Sequence, residues 1–165
     1  MQTQNQLQQK KETQCVERYF FKFAFPCAQV KLKLGSLTKE KYDKLEQTFL
    51  QNGTPTKEEL EKTFPPAFRR IKKLSDDYWN PEIIKKYWEQ NHNEVIDQGD
   101  GMYGIASEEF RDLCKIHTAE ILKIDGDKLI VMYNNKTRTV SNFLIPNATI
   151  GDKVRIHFAY AIEKI

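Results

Sequence analysis

Between Asp97 and Gly101 the run Asp-Gln-Gly-Asp-Gly separates two different hydrophobic periods, and that change constrains the fold more than any other feature of the chain. Upstream, apolar residues recur every three or four positions; downstream they alternate. The first spacing is that of a helix with one buried face and the second that of a strand. The sequence therefore predicts an α+β protein in two parts, an N-terminal all-α domain followed by a small five-stranded OB-like β-barrel. The expected organisation is a disordered polar tail over residues 1–13, a helical domain over 14–98, a linker with a short helical turn over 99–113, and the barrel over 114–165.

The helical part carries its own punctuation. Tyr19, Phe20, Phe23, Phe25 and Ala28 share a helical spacing, and Pro26, which lacks a backbone donor, is expected to kink or end that first helix. Ser36-Leu37-Thr38-Lys39-Glu40 opens a second helix with Tyr42, Leu45 and Phe49 on one face, and Asn52-Gly53 stops it. Thr56 with Glu59 reads as a capping box. Pro65-Pro66 interrupts the helix that follows, and Phe68 and Ile71 point inward beyond it. Asn80-Pro81 reads as a cap followed by a proline at the first helical position, launching a helix through Ile83 and Tyr87 towards Val95. His92, near the end of that helix, reads as a surface or boundary residue. Trp79 and Trp88, with Tyr78 and Tyr87, read as core or interdomain packing.

Beyond the break, Ser107 to Leu113 has the pattern of one short helical turn. Thr118–Ile124, Lys128–Tyr133, Lys136–Ser141, Lys153–Phe158 and Tyr160–Glu163 then read as strands, with hairpin signals at Asp125-Gly126 and Asn134-Asn135. Short strands with tight turns suggest a sheet that closes on itself, because closure removes the exposed edges.

Charge and cysteine content exclude more than they indicate. Lys and Arg number 26 against 23 Asp and Glu, a net +3 too weak to imply a nucleic-acid or membrane partner. The Gln-rich start lacks the apolar core of a signal peptide, and the apolar stretch from Tyr19 to Val30 is broken by Lys22 and Pro26. Three widely spaced cysteines, Cys15, Cys27 and Cys114, argue against a disulfide framework and for a reducing compartment. These features together lead us to expect a cytoplasmic protein.

The barrel segment carries a specific likeness. Gly151-Asp152-Lys153-Val154-Arg155-Ile156-His157-Phe158-Ala159-Tyr160-Ala161-Ile162 resembles the Gly-Asp-x-Val-x-Val-His-x-Gly-x-Ala-Ile signature that closes proteins of the HypC/HupF hydrogenase-maturation chaperone family. Cys114 through Gly126 is similar, without gaps, to the opening of those proteins, and Val140 through Leu144 fits the strand and loop between. The likeness spans about Cys114 to Ile165. It departs from the family pattern at His117-Thr118, where the family has Ile-Pro, at Ala159, where the signature has Gly, and in placing Cys114 far behind the N-terminus.

This resemblance implies a protein without enzymatic activity of its own. It implies binding to a HypD-like scaffold and to the large subunit of a NiFe hydrogenase, and help in delivering an iron centre that carries cyanide and carbon monoxide ligands. It also implies Cys114 as a thiolate ligand of that transient iron and His157 as its companion, a donor pair that suits iron of this kind. Three alternatives stand beside it. The barrel could be an interaction module without iron chemistry. It could bind nucleic acid through Lys123, Lys128, Lys136, Arg138, Lys153 and Arg155, although its strands lack an evident set of exposed stacking aromatics. Last comes an enzyme using Cys114 and His157 as nucleophile and base. Cys114-x-x-His117 has zinc-ligand spacing but supplies only half of a structural site. Cys27 is most simply a core residue.

Overall fold

A computed structural model describes residues 15–165, and the expected polar tail lies outside them. The chain divides by its contacts into two compact units, one ending at Trp88 and the other running from Glu89 to Ile165. The loop expected between Asp97 and Gly101 is present, while the division of contacts falls earlier in the chain.

The first unit is helical: α1 Val16–Lys33, α2 Lys39–Leu50, α3 Lys57–Thr63, α4 Pro65–Lys72 and α5 Pro81–Lys86. The starts of α2 to α5 each have a local cause. Thr38 accepts from the Lys41 amide, and Thr56 and Glu59 exchange both bonds of a capping box, at 2.9 and 3.2 Å. Pro65 opens α4, and Asn80 accepts from the Ile83 amide at 3.1 Å while Pro81 opens α5. Asn52, at φ 55°, ends α2, and the following Gly53 amide reaches back to the Thr48 carbonyl.

Pro26 does not end the first helix, which continues to Lys33. The reason lies in what its second half buries. Phe25 stacks on Phe49 with ring centroids 4.1 Å apart, and Ala28 and Val30 are buried beyond it. Burial of this order outweighs the roughly 3 kcal/mol that an interior proline costs. Phe20 centres the rest of the core, with Phe64, Phe68, Trp79 and Trp88 all around its ring. Trp79 also donates to Glu17 at 3.0 Å, which satisfies its indole nitrogen.

A π-helical turn, Tyr87–Asn91, runs across the division, and the second unit continues with α6 His92–Asp97, a 3-10 turn at Gly101–Gly104 and α7 Glu108–Cys114, capped by Ser107. The strands follow: β1 Ile116–Asp125, β2 Lys128–Tyr133, β3 Lys136–Ser141, β4 Lys153–His157 and β5 Tyr160–Lys164. They close into the expected barrel in the order β1-β2-β3-β5-β4. Asn134 and Asn135, at φ 47° and 60°, make the left-handed turn between β2 and β3 that two-residue hairpins favour. The interior is apolar, with Ile121, Leu129, Val131, Val154, Ile156 and Ala161 fully inaccessible. No helix among the described residues is long and apolar enough to cross a membrane.

These packing positions give a direct test. Phe20→Ala should destabilise the protein by about 3–5 kcal/mol, and Thr56→Ala by about 1 kcal/mol. Urea unfolding followed by far-ultraviolet circular dichroism measures both.

Candidate functional site

Cys114 is the last residue of α7, where the carbonyl end of the helix dipole disfavours a thiolate. Its side chain is 3% exposed. Burial pushes the thiol up to about 11, against a hydrogen bond with Tyr103 and the positive charge of Arg138, both of which pull it down. Near neutral pH Cys114 is therefore a buried, protonated thiol, and a thiol is a poor ligand and a poor nucleophile.

His157 is the last residue of β4, paired with Ile116 on one side and Tyr160 on the other, and is 1% exposed. Its ring meets that of His92 edge-on, with centroids 5.1 Å apart and planes at 75°. His92 opens α6 and is itself 3% exposed, which corrects its expected place at the surface. A signal for this was present in the sequence. Ile84, Trp88, His92 and Ile96 follow one another at four-residue spacing, and all of them are buried.

The neighbouring Asn93 fixes the geometry of this corner. Its side-chain amide donates to the Ile116 carbonyl at 2.7 Å, and its side-chain oxygen accepts from the Ile116 amide at 2.8 Å. One side chain thus bonds both backbone groups of the first residue of β1, which in turn pairs with His157.

A polar hub lies at the other side of α7. Asp112 accepts from the Tyr133 hydroxyl at 2.7 Å, and Arg138 donates to that hydroxyl at 2.6 Å and to the Asp112 carbonyl at 3.3 Å. His117 Nε2 sits 2.9 Å from the Asp112 carbonyl oxygen and 3.1 Å from its carboxylate. Burial lowers the pKa of His117, and the Asp112 carbonyl and carboxylate only partly oppose it. For Asp112 burial acts upward, but Tyr133, His117, Lys136 and Arg138 together outweigh it and hold the carboxyl below its ordinary value. The hub ties α7 to β1, β2 and β3. It also engages Nε2 of His117, one of the two ring nitrogens that a Cys114–His117 zinc pair could use.

Three of the six basic residues considered for nucleic acid have internal partners, among them Lys136 at 3.8 Å from the Asp112 carboxylate. Arg138 belongs to the hub, and Arg155 pairs with Glu89 at 3.1 Å and Glu163 at 2.7 Å. Cys27 is half-buried on α1, and no disulfide is present among the described residues. Neither a family model nor a curated protein matches the chain.

Two outcomes follow. The reaction of Cys114 with a disulfide reagent should be slow near neutral pH and rise steeply as the pH approaches 11, with the rate read against the Cys114→Ala variant to isolate this thiol. The Asp112 carboxylate stabilises the fold fully above its ordinary value of 3.8 and loses that contribution as the pH falls through its lower folded value. Asp112→Asn should therefore cost about 1–3 kcal/mol near pH 7. Its deficit relative to the wild type should shrink in strong acid, as denaturant titrations at several pH values would record.

Proposed function

We propose that this chain is a hydrogenase-maturation chaperone of the HypC/HupF kind that works as a protein-interaction module. It docks on a HypD-like scaffold or a hydrogenase large subunit in the cytoplasm, and it does not hold iron on Cys114. The likeness of residues 151–162 to the family's closing signature carries the assignment, and the state of Cys114, buried at a helix C-terminus with its thiol pushed up to about 11, carries the exclusion of iron on it. A transient iron ligand must ionise and reach its cargo, and this side chain is disposed to neither.

The rest of the barrel supports a binding role. The segment that resembles the family's closing signature forms the β4–β5 hairpin, with Val154, Ile156 and Ala161 in the core. The likeness is thus concentrated in residues that build the barrel. Catalysis by Cys114 and His157 is disfavoured by the same protonated thiol, and nucleic-acid binding by the internal pairing of Arg138 and Arg155.

Capture of partners from native lysate by wild-type and Cys114→Ala protein, with iron measured in each eluate, tests the proposal. Both proteins should recover the same scaffold or large subunit, with no iron that depends on Cys114. Iron lost on mutation would restore Cys114 as a ligand and overturn the reading of this residue. Recovery of neither partner by the wild type would overturn the assignment to hydrogenase maturation.

A further inference from the structure

His92 and His157 are the buried polar side chains among the described residues, at 3% and 1% exposure, and they face each other. A ring nitrogen of one lies within 4.8 Å of a ring nitrogen of the other. We infer that these two imidazoles form a binding site for a first-row transition-metal ion such as zinc, nickel or iron. The inference concerns a pair of residues that includes His92, which the likeness to the chaperone family does not reach, and it stands apart from the identity of any protein partner.

Three features of the second unit prepare the pair. His92 follows directly on the π-helical turn Tyr87–Asn91, an irregularity that re-aims the residues after it and recurs at functional sites. Asn93 then clamps both backbone groups of Ile116. Ile116 is the register partner of His157 in the β1–β4 ladder. The two rings are thus tied through a short path of hydrogen-bonded backbone, from α6 across β1 to β4. Such support from outside the ligand set holds metal-binding side chains in place before the ion arrives.

The donor chemistry limits what the site takes. Two nitrogen donors suit zinc, copper, nickel and iron, and they do not suit magnesium or calcium, which seek oxygen. Drawing both nitrogens onto one ion about 2.0–2.1 Å from each requires the rings to approach by a small rotation. Two imidazoles leave part of a tetrahedral sphere to water or to ligands that the ion brings with it. A site of that kind exchanges its ion, as cargo handling requires.

Titration of the purified full chain with zinc and nickel by calorimetry, and with cobalt(II) by absorption spectroscopy, tests the inference without any protein partner. The wild type should bind one ion per chain, and cobalt should show the visible band of nitrogen ligation. His92→Phe and His157→Phe should each abolish the binding. Asn93→Ala, which leaves both imidazoles in place, should weaken it by about 10–100-fold. Circular dichroism identifies any variant that fails to fold. For such a variant the wild-type protein decides, because proton NMR with bound cobalt should shift the ring protons of both histidines. Absence of binding to the wild type, binding that survives loss of either histidine in a folded variant, or unshifted ring protons would overturn it.

Discussion

The closure of this small barrel rests on β1, its longest strand at 10 residues, whose two halves pair with different neighbours. Its first half, Ile116 to Glu120, pairs with β4, and its second half, Glu120 to Asp125, pairs with β2. Passing from one partner to the other takes a register shift between Ile121 and Lys123, which leaves Leu122 outside while Ile121 stays in the core. A bulge of this kind bends a strand and increases its twist, and closure needs both. The parallel side of the barrel is much thinner. β3 meets β5 at Ser141 and Tyr160, and Arg138 reaches across to the Phe158 carbonyl beside that seam.

Because β1 organises the barrel, whatever anchors its start positions everything that follows. Two different devices do this. Asn93 holds Ile116 from the side of α6, and the Asp112 hub holds α7 against His117, Tyr133 and Arg138. Leu113 adds a backbone bond to Phe158 at 3.2 Å, joining the end of α7 to the β4–β5 turn. Cys114 sits between these anchors. Its burial is a consequence of how firmly the chain entering β1 is held on both sides, and the raised thiol pKa follows from that burial.

Much of this architecture is legible in the sequence because its signals are local. The capping residues Thr38, Thr56, Asn80 and Ser107 act within three residues of themselves, and the turns at Gly126 and Asn134-Asn135 depend on a few backbone angles. Pro26 misleads because its local cost is overridden by aromatic stacking with residues far along the chain, on Phe49 in particular. The Asp112 hub is invisible for a related reason. Asp112, His117, Tyr133 and Arg138 are spread over separate elements, and only closure of the barrel assembles them. His92 is an intermediate case. Its four-residue spacing from Trp88 and Ile96 marks the buried face, but a histidine between polar neighbours reads as surface unless that spacing is followed through.

The resemblance to the chaperone family and the state of Cys114 pull in different directions, and the chain entering the barrel resolves them. Here the residues before Cys114 are folded into α7 and fastened by the Asp112 hub. Cys114 is thereby an internal residue, and an internal thiol at a helix C-terminus favours its proton. His157 has its place fixed separately, by the pairing of β4 with β1 and β5. The same entering segment that buries Cys114 also supplies His157 with a neighbour in His92.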